Sequence, residues 1–208
     1  SLGLLMGWGG MASFGHAAYF GAGAYAAAIA AKAGTGFVVA LVSGVAFAGL
    51  LALTLGWFCV RLSGVSLAML TLAFAQILWA AAFQWDAVTG GSNGLVGVWP
   101  PSLLAHKGAY YLFALLLVAA ALALLWRLAH APFGYALRAV RDSRLRAEAI
   151  GIDARRVQWA AFAVSGAMAG LAGALYVFSK GSLSPDALGI PRSMDALIML
   201  LLGGLHTL

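Results

Sequence analysis

Charge is what this chain has least of. Asp, Glu, Lys and Arg together make up 9% of its 208 residues while hydrophobic residues make up 63%, against roughly a quarter and a half in a soluble domain. That balance argues against a soluble fold. Cysteine is nearly absent as well: Cys59 stands alone in an apolar window, so no internal disulfide is possible and the redox compartment stays unread. No Gly-Lys pair occurs, which removes the phosphate-cradling loop of an ATP-hydrolysing chain and means that any ATP is spent elsewhere. His16, His106, His130 and His206 are scattered without companion carboxylates or thiolates, so no metal site is expected. Nor is there a chain of Asp, Glu or His inside the apolar runs to relay protons, although sodium held by backbone carbonyls would leave no such trace.

What is present is apolar sequence in lengths of about 20 residues, enough to cross a hydrocarbon core of ~30 Å as helix. Lipid offers an open backbone no hydrogen bonds, so these runs are expected to be helices. The reading is an all-α, polytopic membrane protein forming a single transmembrane domain over residues 1–208. Spans fall near 14–31, 36–60, 64–84, 109–129, 157–178 and 193–208, with a charged loop at about 130–156. Both ends look cut from a longer chain, and nothing at the start resembles a cleaved signal peptide. Lys and Arg favour the cytoplasmic side. Placing the charged loop there puts Arg61, Arg127, Arg138, Arg141, Arg144, Arg146, Arg155 and Arg156 inside. Lys32, Lys107, Lys180 and Arg192 then fall outside, and the alternation is consistent throughout. The net charge of +6 is concentrated in that loop rather than in a tail or groove, so anionic lipid is an expected partner and nucleic acid is not.

The spans are crowded with small residues. Gly166 and Gly170 share a helical face, as do Ser165, Ala169 and Gly173, which lets another helix approach closely. "VSGVAFAGLLAL" from Val42 and "VSGAMAGLAGAL" from Val164 are alike but run in opposite directions, which fits both an inverted repeat and convergent packing. "GAGAYA" matches a dinucleotide glycine pattern loosely, yet it lies in a span with no strand before it. Ser165 in "AVSGAMAG" resembles an intramembrane serine protease motif, except that Ala163 stands where that motif has glycine.

One stretch breaks the apolar rule. "PFGYALRAVRDSRLRAEAIGIDARRV", residues 132–157, holds six arginines and three acids. Helix formers from Gly134 to Ala149 predict one surface helix, preceded by Pro132, closed by a left-handed Gly151, and carrying an Asp142 to Arg146 ion pair. A coupling helix and a solvated, lipid-attracting loop both account for this composition.

Together with "GWGGMASFGHAAYFGAGAY", "LSGVSLAMLTLAFAQIL", "TGGSNGL" and "SGAMAGLAGALY" followed by "LLLGGL", this stretch resembles the permeases of branched-chain amino-acid ABC importers, the Liv-type family whose wider membership serves urea and short amides. The likeness covers nearly the whole chain. Its "AEAIGID" differs from the "EAA" pattern of the other large importer class, so that geometry is not carried over. The resemblance implies an ABC-importer transmembrane bundle in a bacterial inner membrane. It also implies a second related permease, two cytoplasmic ATP-binding subunits that use ATP and Mg, and a periplasmic solute-binding protein, with no cofactor held by this chain. Coupling to the ATPases would fall to Arg138, Arg141, Arg144, Arg146, Glu148, Gly151 and Asp153. Ser13, His16, Tyr19, Thr71 and Gln76 are the residues nominated for the solute pathway. Thr89, Gly90, Gly91, Asn93, Pro185 and Asp186 are nominated for contact with the binding protein. No catalytic residue is expected. A carrier or channel that needs no ATPase is the competing class.

Overall fold

Glycine and alanine decide which helices meet. Over the described residues, 1–101 and 106–204 of the computed structural model, α1 spans His16–Lys32, α2 Phe37–Cys59, α3 Gly64–Gln84, the single-turn α4 Asp86–Thr89 and α5 Lys107–Ala129. They are followed by α6 Pro132–Asp142, α7 Arg144–Ala149, α8 Ala154–Lys180 and α9 Ile190–Gly203. A π-helical turn, Leu4–Trp8, precedes α1. His206 and residues 205–208 of the expected last span lie outside the described residues, as does the side chain of Lys107.

The centre is a trio of α1, α2 and α8. A methyl group at Gly23 would collide with the backbone of Gly170, one at Gly166 with Ala52, one at Gly170 with Ala48, and one at Gly173 with the Phe20 carbonyl. Missing side chains therefore set the helix separation, and the small-residue faces of α8 receive α2 and α1. Gly44 lies by Ala174 and Gly56 by Phe162, so α2 and α8 pack antiparallel and their two similar segments face each other in opposite directions.

Among the described residues, α2, α3, α5 and α8 are long and apolar enough to cross a membrane. The 17-residue α1 is shorter and is buried on most of its surface, from His16 to Ala28. It is a helix packed inside protein rather than one bathed in lipid. Val38, Val42, Leu50, Leu112, Leu116, Ile198 and Leu202 are exposed around the bundle, as expected where the surrounding solvent is hydrocarbon. The architecture is that of a multi-pass α-helical membrane protein.

Two apolar clusters hold the ends of the bundle. One joins Leu4, Leu5, Trp8, Cys59, Leu125, Leu137 and Phe162 at the end that carries the arginines. The other joins Ala28, Ala40, Leu95, Val98, Val177, Phe178 and Leu183 at the far end. There the two polar loops are zipped together by β1 (Leu95–Val96) and β2 (Ser182–Leu183), antiparallel with Leu95 opposite Leu183.

Two local expectations need correction. The arginine stretch is two helices, α6 and α7, because Ser143 is extended and its Oγ accepts from the Arg146 backbone N–H, as a helix-starting serine does. That break also separates Asp142 from Arg146: Asp142 instead pairs with Arg141 at 3.0 Å, and Arg144 pairs with Glu148 at 3.0 Å. Gly151 does adopt the left-handed conformation, φ +87°.

Candidate functional site

The arginine end divides into an inner and an outer part. Pro132 occupies the first turn of α6, and the helix buries Leu137 and Val140; Arg138 and Arg141, each next to one of them in sequence, reach the π-turn. The Arg138 guanidinium lies 3.2 Å from the centre of the Trp8 ring, a cation–π contact. Arg141 Nη1 donates to the Gly7 carbonyl at 2.6 Å while its Nε and Nη2 donate to Asp142. A π-helical turn leaves carbonyls without their usual helical partners, and Arg141 supplies a donor to one of them.

The outer part stays in water. Arg144, Glu148, Gly151, Ile152, Asp153 and Arg155 line a shallow depression, and Arg146 is exposed beside it. Asp153 starts α8: its Oδ1 accepts from the Arg156 N–H at 3.2 Å and its Oδ2 pairs with the Arg156 side chain at 3.0 Å. Two apolar side chains project from this charged surface, Leu145 at 82% and Ile150 at 74% exposure.

From the π-turn the chain leads to three of the five nominated pathway residues, Ser13, His16 and Tyr19, and it contacts a fourth, Thr71 on α3. Ser13 is buried, and among the described residues its Oγ has no hydrogen-bond partner. The Phe14 N–H donates to Thr71 Oγ1 at 3.2 Å, Thr71 donates to the Ala68 carbonyl at 2.8 Å, and Gly15 lies against the Thr71 carbonyl. His16 opens α1 with Nε2 2.9 Å from Ser1 Oγ and 3.4 Å from Ser165 Oγ, its ring edge-on to Tyr19 at 6.0 Å. Gln76 does not join them. Five residues beyond Thr71, it lies about 140° around α3 and is half-buried on another side.

His16 and Ser165 do meet, as the protease-like motif would require. The Ser165 hydroxyl donates to the Ser1 carbonyl, however, and among the described residues His16 Nδ1 has no hydrogen-bond partner, whereas a nucleophilic pair needs a third group there to orient the base.

At the far end, Asn93 and Asp186 are exposed and share a pocket of about 300 Å³ with Lys180. Thr89 and Pro185 are buried. The Thr89 hydroxyl contacts the Ala82 and Trp85 carbonyls at 2.6 and 2.8 Å, so it holds the end of α3 rather than facing outward. Gly91 is buried and Gly90 half-buried; both have positive φ, 52° and 74°, which suits glycine and lets the loop fold under Asn93.

Sequence reading missed Arg192 and Asp195 as site residues. With His16 they line an open cavity of about 510 Å³ between α1, α8, α9 and the first residues of the chain, and both are exposed at its mouth. The signal was available: a lone acid in an apolar helix marks function even without a relay of neighbours.

These features describe a multi-pass α-helical membrane protein with a charged end and buried polar residues inside the bundle. A family described as the permease component of branched-chain amino acid transport systems matches residues 1–208, and the chain belongs to that family of transport subunits. It is 29% identical over 232 residues to the high-affinity branched-chain amino acid transport system permease protein LivM of Escherichia coli (strain K12), covering 98% of this chain and 55% of that protein. To the LivM protein of Salmonella typhimurium it is 30% identical over 237 residues, with the same coverage. A shorter match, 36% over 93 residues, covers 45% of this chain and 28% of the autoinducer 2 import system permease protein LsrC of Photorhabdus laumondii. No solved structure matches. The chain spans about half the length of the LivM relatives.

Proposed function

We propose that this chain forms the translocating core of an ATP-driven importer that carries branched-chain amino acids across the bacterial inner membrane. It works with a second related permease, two cytoplasmic ATP-binding subunits and a periplasmic solute-binding protein. The observation that carries this reading is the tip of the arginine end, where Leu145 and Ile150 stand exposed among Arg144, Arg146, Glu148 and Arg155. Apolar side chains in water, rimmed by charge, are what a partner interface buries at its centre. The excess of Lys and Arg puts this end in the cytoplasm, where the ATP-binding subunits operate; ATP and Mg are bound by them.

Motion then has a route. ATP-driven closure pushes on α7 and the Gly151 turn, α6 carries the push through Arg138 and Arg141 to the π-turn, and the 10–15 segment moves Ser13 and His16 against Thr71 and Tyr19. Rigid-body displacement of packed helices switches the cavity between its two faces. At the other end, Asn93 and Asp186 receive the binding protein on a loop shaped by Thr89, Gly90, Gly91 and Pro185.

The assembled transporter in proteoliposomes tests this. Reversing charge with Arg144→Glu and Arg155→Glu is expected to cut co-purification of the ATP-binding subunits and leucine uptake about tenfold or more while membrane insertion persists. Unchanged uptake rejects the docking role. A second reading, the same machine with a different small cargo, is favoured by the partial match to a permease named for autoinducer 2 import. Competition of labelled leucine uptake by urea, short amides and sugars separates the two.

A further inference from the structure

Arg192 and Asp195 are the charged residues of α9, and the two stand three residues apart on one face. They do not neutralise each other. Among the described residues Asp195 makes no ion pair, and Arg192 uses one donor, Nη2 to the Tyr176 hydroxyl at 3.1 Å, with its guanidinium 5.5 Å from that ring. Asp195 lies about 8 Å along the helix from its start, where an acid in an apolar segment is retained for a compensating partner. Both side chains are exposed and line the open cavity of about 510 Å³ whose other walls include Ser1, His16, Phe20, Ala169 and Met199.

We propose that Arg192 and Asp195 form a binding site for the charged ends of a zwitterionic α-amino acid in transit. The solute carboxylate takes the free guanidinium N–H groups, its ammonium takes the Asp195 carboxylate, and its aliphatic side chain lies against Phe20, Ala169 and Met199. A cation and an anion with unused capacity, held apart over an apolar wall, match a ligand with both charges and a hydrocarbon tail. Neither a simple cation nor an uncharged amide uses all three. Planar N–H donors suit a carboxylate, and the volume lies within the ~300–1,000 Å³ of small-ligand sites. The cavity is larger than one aliphatic amino acid, so the charge pair selects for the zwitterion and the fit discriminates little among aliphatic side chains. This inference rests on the importer reading and adds where the solute is held.

The test uses the full-length permease assembled with its partners in proteoliposomes, with radiolabelled leucine on saturating binding protein. Asp195→Asn and Arg192→Gln are each expected to lower initial uptake about tenfold or more, while Arg192→Lys retains more uptake than Arg192→Gln. In an Ala196→Cys transporter, where Arg192 and Asp195 stay in place and the cysteine lines the same cavity, excess leucine is expected to slow modification by a cationic thiol reagent, a readout that does not depend on the neutral variants assembling. Wild-type uptake in both neutral variants, or labelling that leucine does not slow, overturns the site. If the wild type imports a different zwitterion and Asp195→Asn abolishes that uptake, the site stands and the branched-chain assignment falls. Wild-type import of an uncharged amide alone overturns both.

Discussion

Within the arginine island, α6 and α7 use the same residue in opposite ways. Arg138 lies on the Trp8 ring and Arg141 on the Gly7 carbonyl, so both fasten α6 to the π-turn. Arg144, Arg146 and Arg155 instead remain at the surface around Leu145 and Ile150. What separates the two groups is where the partner lies. Arg138 and Arg141 reach an indole face and a carbonyl on another element and act as struts, whereas Arg144 pairs within its own helix, with Glu148, and that face is left to another protein. The boundary between the two uses is Ser143, the residue that ends one helix and caps the next.

If that division is correct, inner variants damage the fold and outer variants damage association. The largest effect is expected from Trp8→Ala, which empties the cluster around Leu4, Leu5 and Leu137 and costs about 3–5 kcal/mol, read as a drop in Tm of the detergent-solubilised protein. Arg141→Gln withdraws the charged donor from the Gly7 carbonyl and should cost about 1–3 kcal/mol. Its signature is lost uptake with the ATP-binding subunits still co-purifying. The charge reversal at Arg144 and Arg155 should do the opposite, lowering association about tenfold with Tm unchanged. Gly151→Ala, forced into a left-handed turn, should cost about 1–2 kcal/mol and weaken coupling with it. The smallest effect is expected from Glu148→Gln, which removes an exposed helical pair with Arg144 worth about 0.3–0.5 kcal/mol. A large Tm loss in that last variant would break the distinction between strut and surface.

The parts of the fold that follow from the surrounding solvent were legible in the sequence. Helix order and the gathering of arginines at one end come from hydrocarbon length and charge bias, and Gly151 from the cap it closes. Contacts between residues far apart in the chain were not legible. Nothing near Arg138 or Arg141 announces Trp8 and Gly7, so in sequence both look the same as the docking arginines. The break at Ser143 was hidden by good helix formers on either side. Thr89 looked like a loop residue until its hydroxyl was found on the Ala82 carbonyl. Asp195 has no second acid or histidine in its helix and so carries no relay signal in the sequence, while a single acid lining a cavity performs a different task.

A photo-crosslinking amino acid at Leu145 of the assembled transporter tests the central claim most directly. The account predicts an adduct with the ATP-binding subunit in complexes that import solute. An adduct with the solute-binding protein, or none in a complex that imports at the normal rate, would contradict it.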